Sequence, residues 1–184
     1  MRKVVLYELL SLDGVAEQPD DFITEFDAVM SENLGRVIAT QDSVLLGRRT
    51  YDEWAAFWPT AEYEPFASFI NGVEKFVATS TTPGTWGNTT VVGGGLSEFV
   101  SDLKGRTGGD IGVHGSIALA QSLLEQDLVD ELRLVMAPAV HLRGRRLFDK
   151  GLQKRLTLTR QVASPSGYLL VDFRVEGRPE LSEP

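Results

Sequence analysis

Apolar positions along the chain alternate between strand-like runs and helical stripes. Residues 3–10, Lys-Val-Val-Leu-Tyr-Glu-Leu-Leu, form an almost unbroken apolar run. That predicts a central strand buried on both faces. It runs out at Ser11-Leu12-Asp13-Gly14. Phe22, Phe26, Val29 or Met30, Leu34 and Val37 then recur at helical spacing. They predict a helix over residues 21–38, capped by Asp20 or Asp21. Residues 44–46 predict a short buried strand, and Thr50 with Glu53 stands at capping-box spacing before a helix that stops ahead of Pro59. A short helix over residues 62–71 places Phe66, Phe69 and Ile70 inward. Strands are expected over 75–79, 90–92, 110–113 and 133–136, and helices over 96–104 and 116–126. Segments 156–159 and 168–173 bracket Ser164-Pro165-Ser166-Gly167 as an antiparallel hairpin. The predicted fold is therefore α/β: a mostly parallel central sheet flanked by helices, with a C-terminal antiparallel hairpin. No internal repeat or linker divides it, so residues 1–176 read as one domain and residues 177–184 as a loose tail.

Composition narrows the class. A chain of 184 residues suits one domain, which at this size buries roughly 70% of its unfolded surface. The net charge of −8 and pI near 4.8 argue against a broad nucleic-acid surface, while leaving room for a local basic pocket. There is no cysteine, hence no disulfide framework or thiol chemistry, which fits a cytoplasmic protein. The start of the chain lacks a signal-peptide layout, and no apolar stretch approaches the roughly 20 residues of a membrane span. His114 and His141 have no Cys, Asp or Glu at metal-ligand spacing, so no metal is expected. No serine stands in a Gly-x-Ser-x-Gly elbow.

Two junctions carry candidate chemistry. Gly47-Arg48-Arg49-Thr50 follows one strand, and His114-Gly115-Ser116 follows another. Each is a strand, a glycine turn and a helix start, where free backbone N–H groups and a positive dipole end favour phosphate. Taken alone, the first is better explained as an ordinary strand–helix junction with two solvated arginines. Neither is a Walker loop or a Gly-x-Gly-x-x-Gly fingerprint. Asp13 is either a turn residue or a carboxylate at the lip of a cleft beyond a strand's carboxyl end. Thr79 and Ser80 end another strand, in a hydroxyl-rich stretch that either caps a turn or contacts a phosphate. Arg143, Arg145 and Arg146 sit in a basic loop.

Taken in order, Ser11-Leu-Asp-Gly14, Leu46-Gly-Arg-Arg-Thr-Tyr51, Val113-His-Gly-Ser116, Leu128-Val-Asp-Glu-Leu132, Pro138 and Gly144-Arg-Arg-Leu-Phe148 resemble the bacterial dihydrofolate reductase-like family that includes the reductase domain of bifunctional riboflavin-biosynthesis proteins. The likeness spans about residues 3–175. It implies a three-layer dihydrofolate-reductase-like fold, NADPH as cofactor, a small heterocyclic substrate and a homodimer. By the same resemblance Gly47, Arg48, Arg49 and Thr50 bind phosphate, and Thr79 and Ser80 lie near the adenosine 2′-phosphate. Gly112, His114, Gly115, Ser116 and Ile117 line the diphosphate and nicotinamide side. Asp13 becomes the first candidate for substrate orientation or indirect proton delivery, and Asp27 the second. The family often has consecutive glycines where this chain has His114-Gly115, a departure that narrows the cofactor passage or adds a hydrogen bond. The expected reaction is hydride transfer to a pteridine-like or ribosylamino-pyrimidine substrate. Dihydrofolate, another heterocycle, or a non-catalytic nucleotide-binding role are the alternatives.

Overall fold

In a computed structural model, residues 1–149 and 153–176 are described. One eight-stranded sheet runs through them, in the order β4-β3-β2-β5-β1-β6-β8-β7. The strands are β1 (Val4–Leu10), β2 (Gln41–Gly47), β3 (Glu74–Ala78), β4 (Thr89–Val92), β5 (Asp110–His114), β6 (Glu131–Met136), β7 (Leu156–Ala163) and β8 (Leu169–Val175). The first six run parallel; β8 pairs antiparallel with β6, and β7 antiparallel with β8. The expected mixed sheet and terminal hairpin are both present. The expected loose tail, residues 177–184, lies outside the described residues.

Strand β1 sits between β5 and β6 with covered faces, which explains its continuous apolar run. Helices α1 (Ala28–Ile38), α2 (Arg48–Phe57) and α3 (Phe66–Gly72) cover one face. Met30, Leu34 and Val37 of α1 meet Tyr51 of α2 and Ile70 of α3 over Val44, Leu46 and Val77. Helices α4 (Leu96–Gly105) and α5 (Ile117–Glu125) cover the other, with Val100, Leu103, Leu119 and Leu123 against Leu6, Leu45, Ile111 and Val113. The result is three layers. Because α2 and α5 lie on opposite faces, the chain's direction of winding reverses between β2 and β5, and a crevice opens beyond their carboxyl ends.

Two local expectations are corrected. Helix α1 begins at Ala28, seven residues later than the periodicity indicates, and its cap is Asp27 rather than Asp20 or Asp21. Residues 19–21 form one turn of 3₁₀ helix instead. Phe22 still enters the core, but the extended stretch after it is held from afar, because Thr24 and Glu25 donate backbone N–H groups to the Tyr168 hydroxyl at 3.1 and 3.3 Å. Helix α2 begins at Arg48 with Gly47 as its cap, so Thr50 does not cap it. The capping box fails because both partners are engaged elsewhere: Glu53 pairs with Arg49 at 2.9 Å, and the Thr50 hydroxyl donates to the Gly115 carbonyl at 3.2 Å.

Candidate functional site at the carboxyl edge of the sheet

The two strand–glycine–helix junctions meet. Gly47 donates its backbone N–H to Ser116 Oγ at 3.0 Å, and Thr50 reciprocates by donating to the Gly115 carbonyl. The starts of α2 and α5 are thereby tied side by side, across 69 residues of sequence. Ser116 spends its hydroxyl on this bond and makes no cap bond within α5. The first N–H groups of a helix have no intrahelical acceptor, so two positive helix ends face one crevice. Gly115 adopts φ +61°, a left-handed conformation that costs a non-glycine residue energy. A Cβ there would stand 3.1 Å from the Trp54 ring, so the glycine also leaves a cradle between β5 and α2.

Arg48 bridges α2 and the exit of β3. Its guanidinium donates to Asp52 at 2.6 Å, to the Thr81 hydroxyl at 2.6 Å and to the Thr82 carbonyl at 3.0 Å. The Thr79 hydroxyl accepts from the Thr81 N–H at 3.1 Å, and Ser80 is exposed beside it. Arg48, Thr79 and Ser80 therefore gather at one place. Arg49 is two-thirds exposed and bonds Glu53, with Glu17 3.6 Å away.

Gly112 lies apart from this crevice, buried within β5. A Cβ at Gly112 would collide with the Gln41 amide, and this open space lets Gln41 Oε1 accept from His114 Nε2 at 2.8 Å. That bond leaves Nδ1 as the bare nitrogen of a neutral ring, and it is buried without a partner among the described residues. Burial drives the imidazole down to about 3. His114 also packs against Tyr7 and Phe66, with ring centroids 5.6 and 5.4 Å away. The departure from consecutive glycines thus adds a hydrogen bond inside the layer.

Asp13 follows β1 and holds a loop. One oxygen accepts from the His141 N–H at 2.9 Å and the Ser11 hydroxyl at 2.7 Å; the other accepts from the Leu142 N–H at 3.0 Å and Arg146 at 3.1 Å. The His141 amide leads the influences that hold this carboxyl well below the usual carboxylate range. Arg145 and Arg146 are likewise engaged, Arg145 with Glu17 at 2.8 Å. Asp27 is 3.2 Å from the Ser166 N–H and 2.9 Å from the Met30 N–H. Partial burial pushes Asp27 up, but these hydrogen bonds outweigh it and bring it down to about 2. Both candidate carboxylates are held ionised by these donors, so neither carries a proton to deliver at neutral pH.

Beside Asp13 lies a cavity of about 330 Å³, lined by Leu10, Leu134, Met136 and Phe148 together with Asp13 and Arg146. A hollow of about 380 Å³ lies at the opposite ends of β3 and β4, among Gly72, Glu74, Asn88 and Thr89. It has no helix start and no concentration of ionisable groups, and we assign it no chemistry. Among the described residues, no cluster of three or more His, Cys, Asp or Glu is arranged to hold a metal ion, and no helix is long and apolar enough to cross a membrane.

Sequence reasoning passed over Glu8, read simply as part of an apolar strand. It is 3% exposed, and burial pushes its carboxyl up to about 8. The one signal was a lone acid inside Val-Val-Leu-Tyr-Glu-Leu-Leu.

A family model described as the RibD C-terminal domain matches residues 2–170. Two uncharacterized proteins of Bacillus subtilis are similar in sequence: YwjB is 27% identical over 154 residues, covering 81% of this chain and 84% of its own, and YyaP is 26% identical over 155 residues, covering 80% of each. Among solved structures, a putative riboflavin biosynthesis protein from Shewanella sp. PV-4 superposes with a TM-score of 0.77 at 16% identity, over 95% of this chain and 99% of that one. A pyrimidine reductase-like protein from Corynebacterium diphtheriae gives 0.71 at 14% identity, over 96% and 93%. A Thermotoga maritima diaminohydroxyphosphoribosylaminopyrimidine deaminase/5-amino-6-(5-phosphoribosylamino)uracil reductase gives 0.67 at 14% identity, over 95% of this chain and 56% of that one.

Proposed function

The chain belongs to the RibD C-terminal domain family, and from that premise we propose that it is an NADPH-dependent reductase of a small heterocycle, pteridine-like or a ribosylamino-pyrimidine. The observation that carries the proposal is the joined pair of helix starts, Gly47 to Ser116 and Thr50 to Gly115. The residues there suit a dinucleotide: paired N–H donors, a left-handed glycine that leaves a cradle, and Arg48 and Arg49 as the local cations in an acidic chain. Bound reduced nicotinamide would supply the hydride equivalent. The protein's part is to hold phosphate at the α2 and α5 starts, with Arg48, Thr79 and Ser80 grouped for the adenosine end. Asp13 acts on the substrate end by fixing the 141–146 loop, and Asp27 by fixing the start of α1 against the β7–β8 turn. Ionised and hydrogen-bonded, each orients rather than protonates.

A second copy completes the proposal. Strand β7 forms the outer edge of the sheet, and Leu156, Leu158 and Leu169 are exposed on the terminal hairpin. An apolar edge of this kind is suited to burial in a homodimer.

Titration of the purified protein with NADPH, followed by the cofactor's fluorescence, tests the reading. Saturable binding is expected, and so is loss of reduced-nicotinamide absorbance when a ribosylamino-pyrimidine or dihydropteridine is added. Saturation without oxidation by any such heterocycle would leave a nucleotide binder, and no saturation would end the proposal.

A further inference from the structure

Strand β1 is apolar at six of its seven positions, and Glu8 is the exception. Alternation along the strand puts Glu8 on the same face as Leu6 and Leu10, the face covered by α4 and α5. Its register partner in β6 is Leu134. Carboxyl atom Oε1 is buried without a hydrogen-bond partner, and Glu8 stands one residue past the Tyr7–His114 register pair, beside Gly115, whose backbone amide favours the ionised carboxyl. A buried polar atom left unpaired is costly, and one at a ligand-facing turn calls for a functional explanation. Burial is the main influence on the group and raises it to about 8, against the opposing pull of the Gly115 amide. It is therefore a carboxylic acid at neutral pH.

The titratable and charged groups on the surrounding elements lie elsewhere. On β1, Tyr7 points to the opposite face, and on β5 so does His114. On β6, Arg133 pairs with Glu131. Beyond β1, Asp13 pairs with Arg146. Helix α5 carries no charged residue before Glu125, and α4 presents Val100 and Leu103 to the layer.

We propose that Glu8 is a positioning residue for the cofactor turn. In its neutral form it accepts the Gly115 N–H and holds the left-handed glycine between β5 and α5; once ionised it sets a negative charge behind the amides that face phosphate and weakens anion binding there. This rests on the reading of that turn as an NADPH site. It also gives the lone acid of β1 a use that packing alone does not.

Two measurements on the intact chain test it. The first is NADPH affinity from pH 7 to pH 9 for wild type, Glu8→Gln and Glu8→Leu. A binding-competent neutral form with a midpoint near 8 weakens wild-type binding about tenfold over that interval. Glu8→Gln keeps an acceptor and cannot ionise, so its affinity is expected to match wild type at pH 7 and to lack that tenfold loss. Glu8→Leu is expected to bind several-fold more weakly at every pH. The second is the backbone amide resonance of Gly115 in the ligand-free protein, expected to titrate with a midpoint near pH 8 in wild type and not in Glu8→Gln. NADPH binding with the same pH dependence in wild type and Glu8→Gln, or a Gly115 amide that does not follow Glu8, overturns the inference. Absence of NADPH binding with a titrating Gly115 amide overturns the cofactor reading instead, and leaves Glu8 positioning the turn.

Discussion

His114 shows how one side chain can be both a site neighbour and a stability element. Its ring is neutral because burial drives it down to about 3 from a model-compound value of 6.5. A depressed imidazole contributes its stability in full above pH 6.5 and loses it as pH falls toward 3, where the folded form finally protonates. Over that window the loss is on the order of 5 kcal/mol. Urea unfolding of wild type at pH 7 and pH 4 is expected to show about 3 kcal/mol of this loss, and His114→Phe is expected to lack it. An identical pH slope in both proteins would mean that the ring is not buried neutral. The sequence showed a histidine beside a glycine but not its partner, because Gln41 lies 73 residues away. Asp13 illustrates the same limit. Its place after β1 was legible from Asp-Gly, whereas its donors come mainly from residues 141–146. Contacts of that range leave no local periodicity to read.

Elements were read well where their signal was local and poorly where their ends were set by distant partners. The strand runs at β1, β2, β5 and β6 follow from buried apolar stretches, and α4 and α5 from helical stripes. The starts of α1 and α2 were misplaced for one physical reason. Phe22 has core periodicity but reaches the core from an extended segment held by Tyr168, and Thr50 turns toward Gly115 instead of its own helix. Caps are therefore decided by competition between near and far acceptors. Asp27→Ala should test the observed cap: loss of the bonds to Met30 and Ser166 is expected to lower unfolding free energy by about 1 kcal/mol, whereas Asp20→Ala should leave it unchanged. Ser116→Ala examines the joint between the two turns. It strands the Gly47 N–H at a cost of roughly 1–3 kcal/mol, and NADPH affinity measured in the same buffer is expected to fall with it. Unchanged affinity would show that the two helix starts act independently.

For the molecule as a whole, the α/β class and the carboxyl-edge placement of the two strand–glycine–helix junctions were legible, since both follow from strand–helix alternation. The side chains that bridge layers were not. A dimer across the terminal hairpin would bury Leu158, so Leu158→Glu is expected to halve the mass measured by light scattering, while a monomeric wild type would refute that interface. The placement of β1 has a further consequence, for biosynthesis. Its partners are Ile111–His114 on one side and residues 131–136 on the other. At translation rates of roughly 5–20 residues per second, the apolar strand leaves the ribosome on the order of ten seconds before its neighbours exist. During that interval Val4–Leu10 is an unpaired hydrophobic ribbon, and closing the loop to β5 comes late by necessity. The central strand of the finished sheet is thus made before every other strand and waits longest for its neighbours.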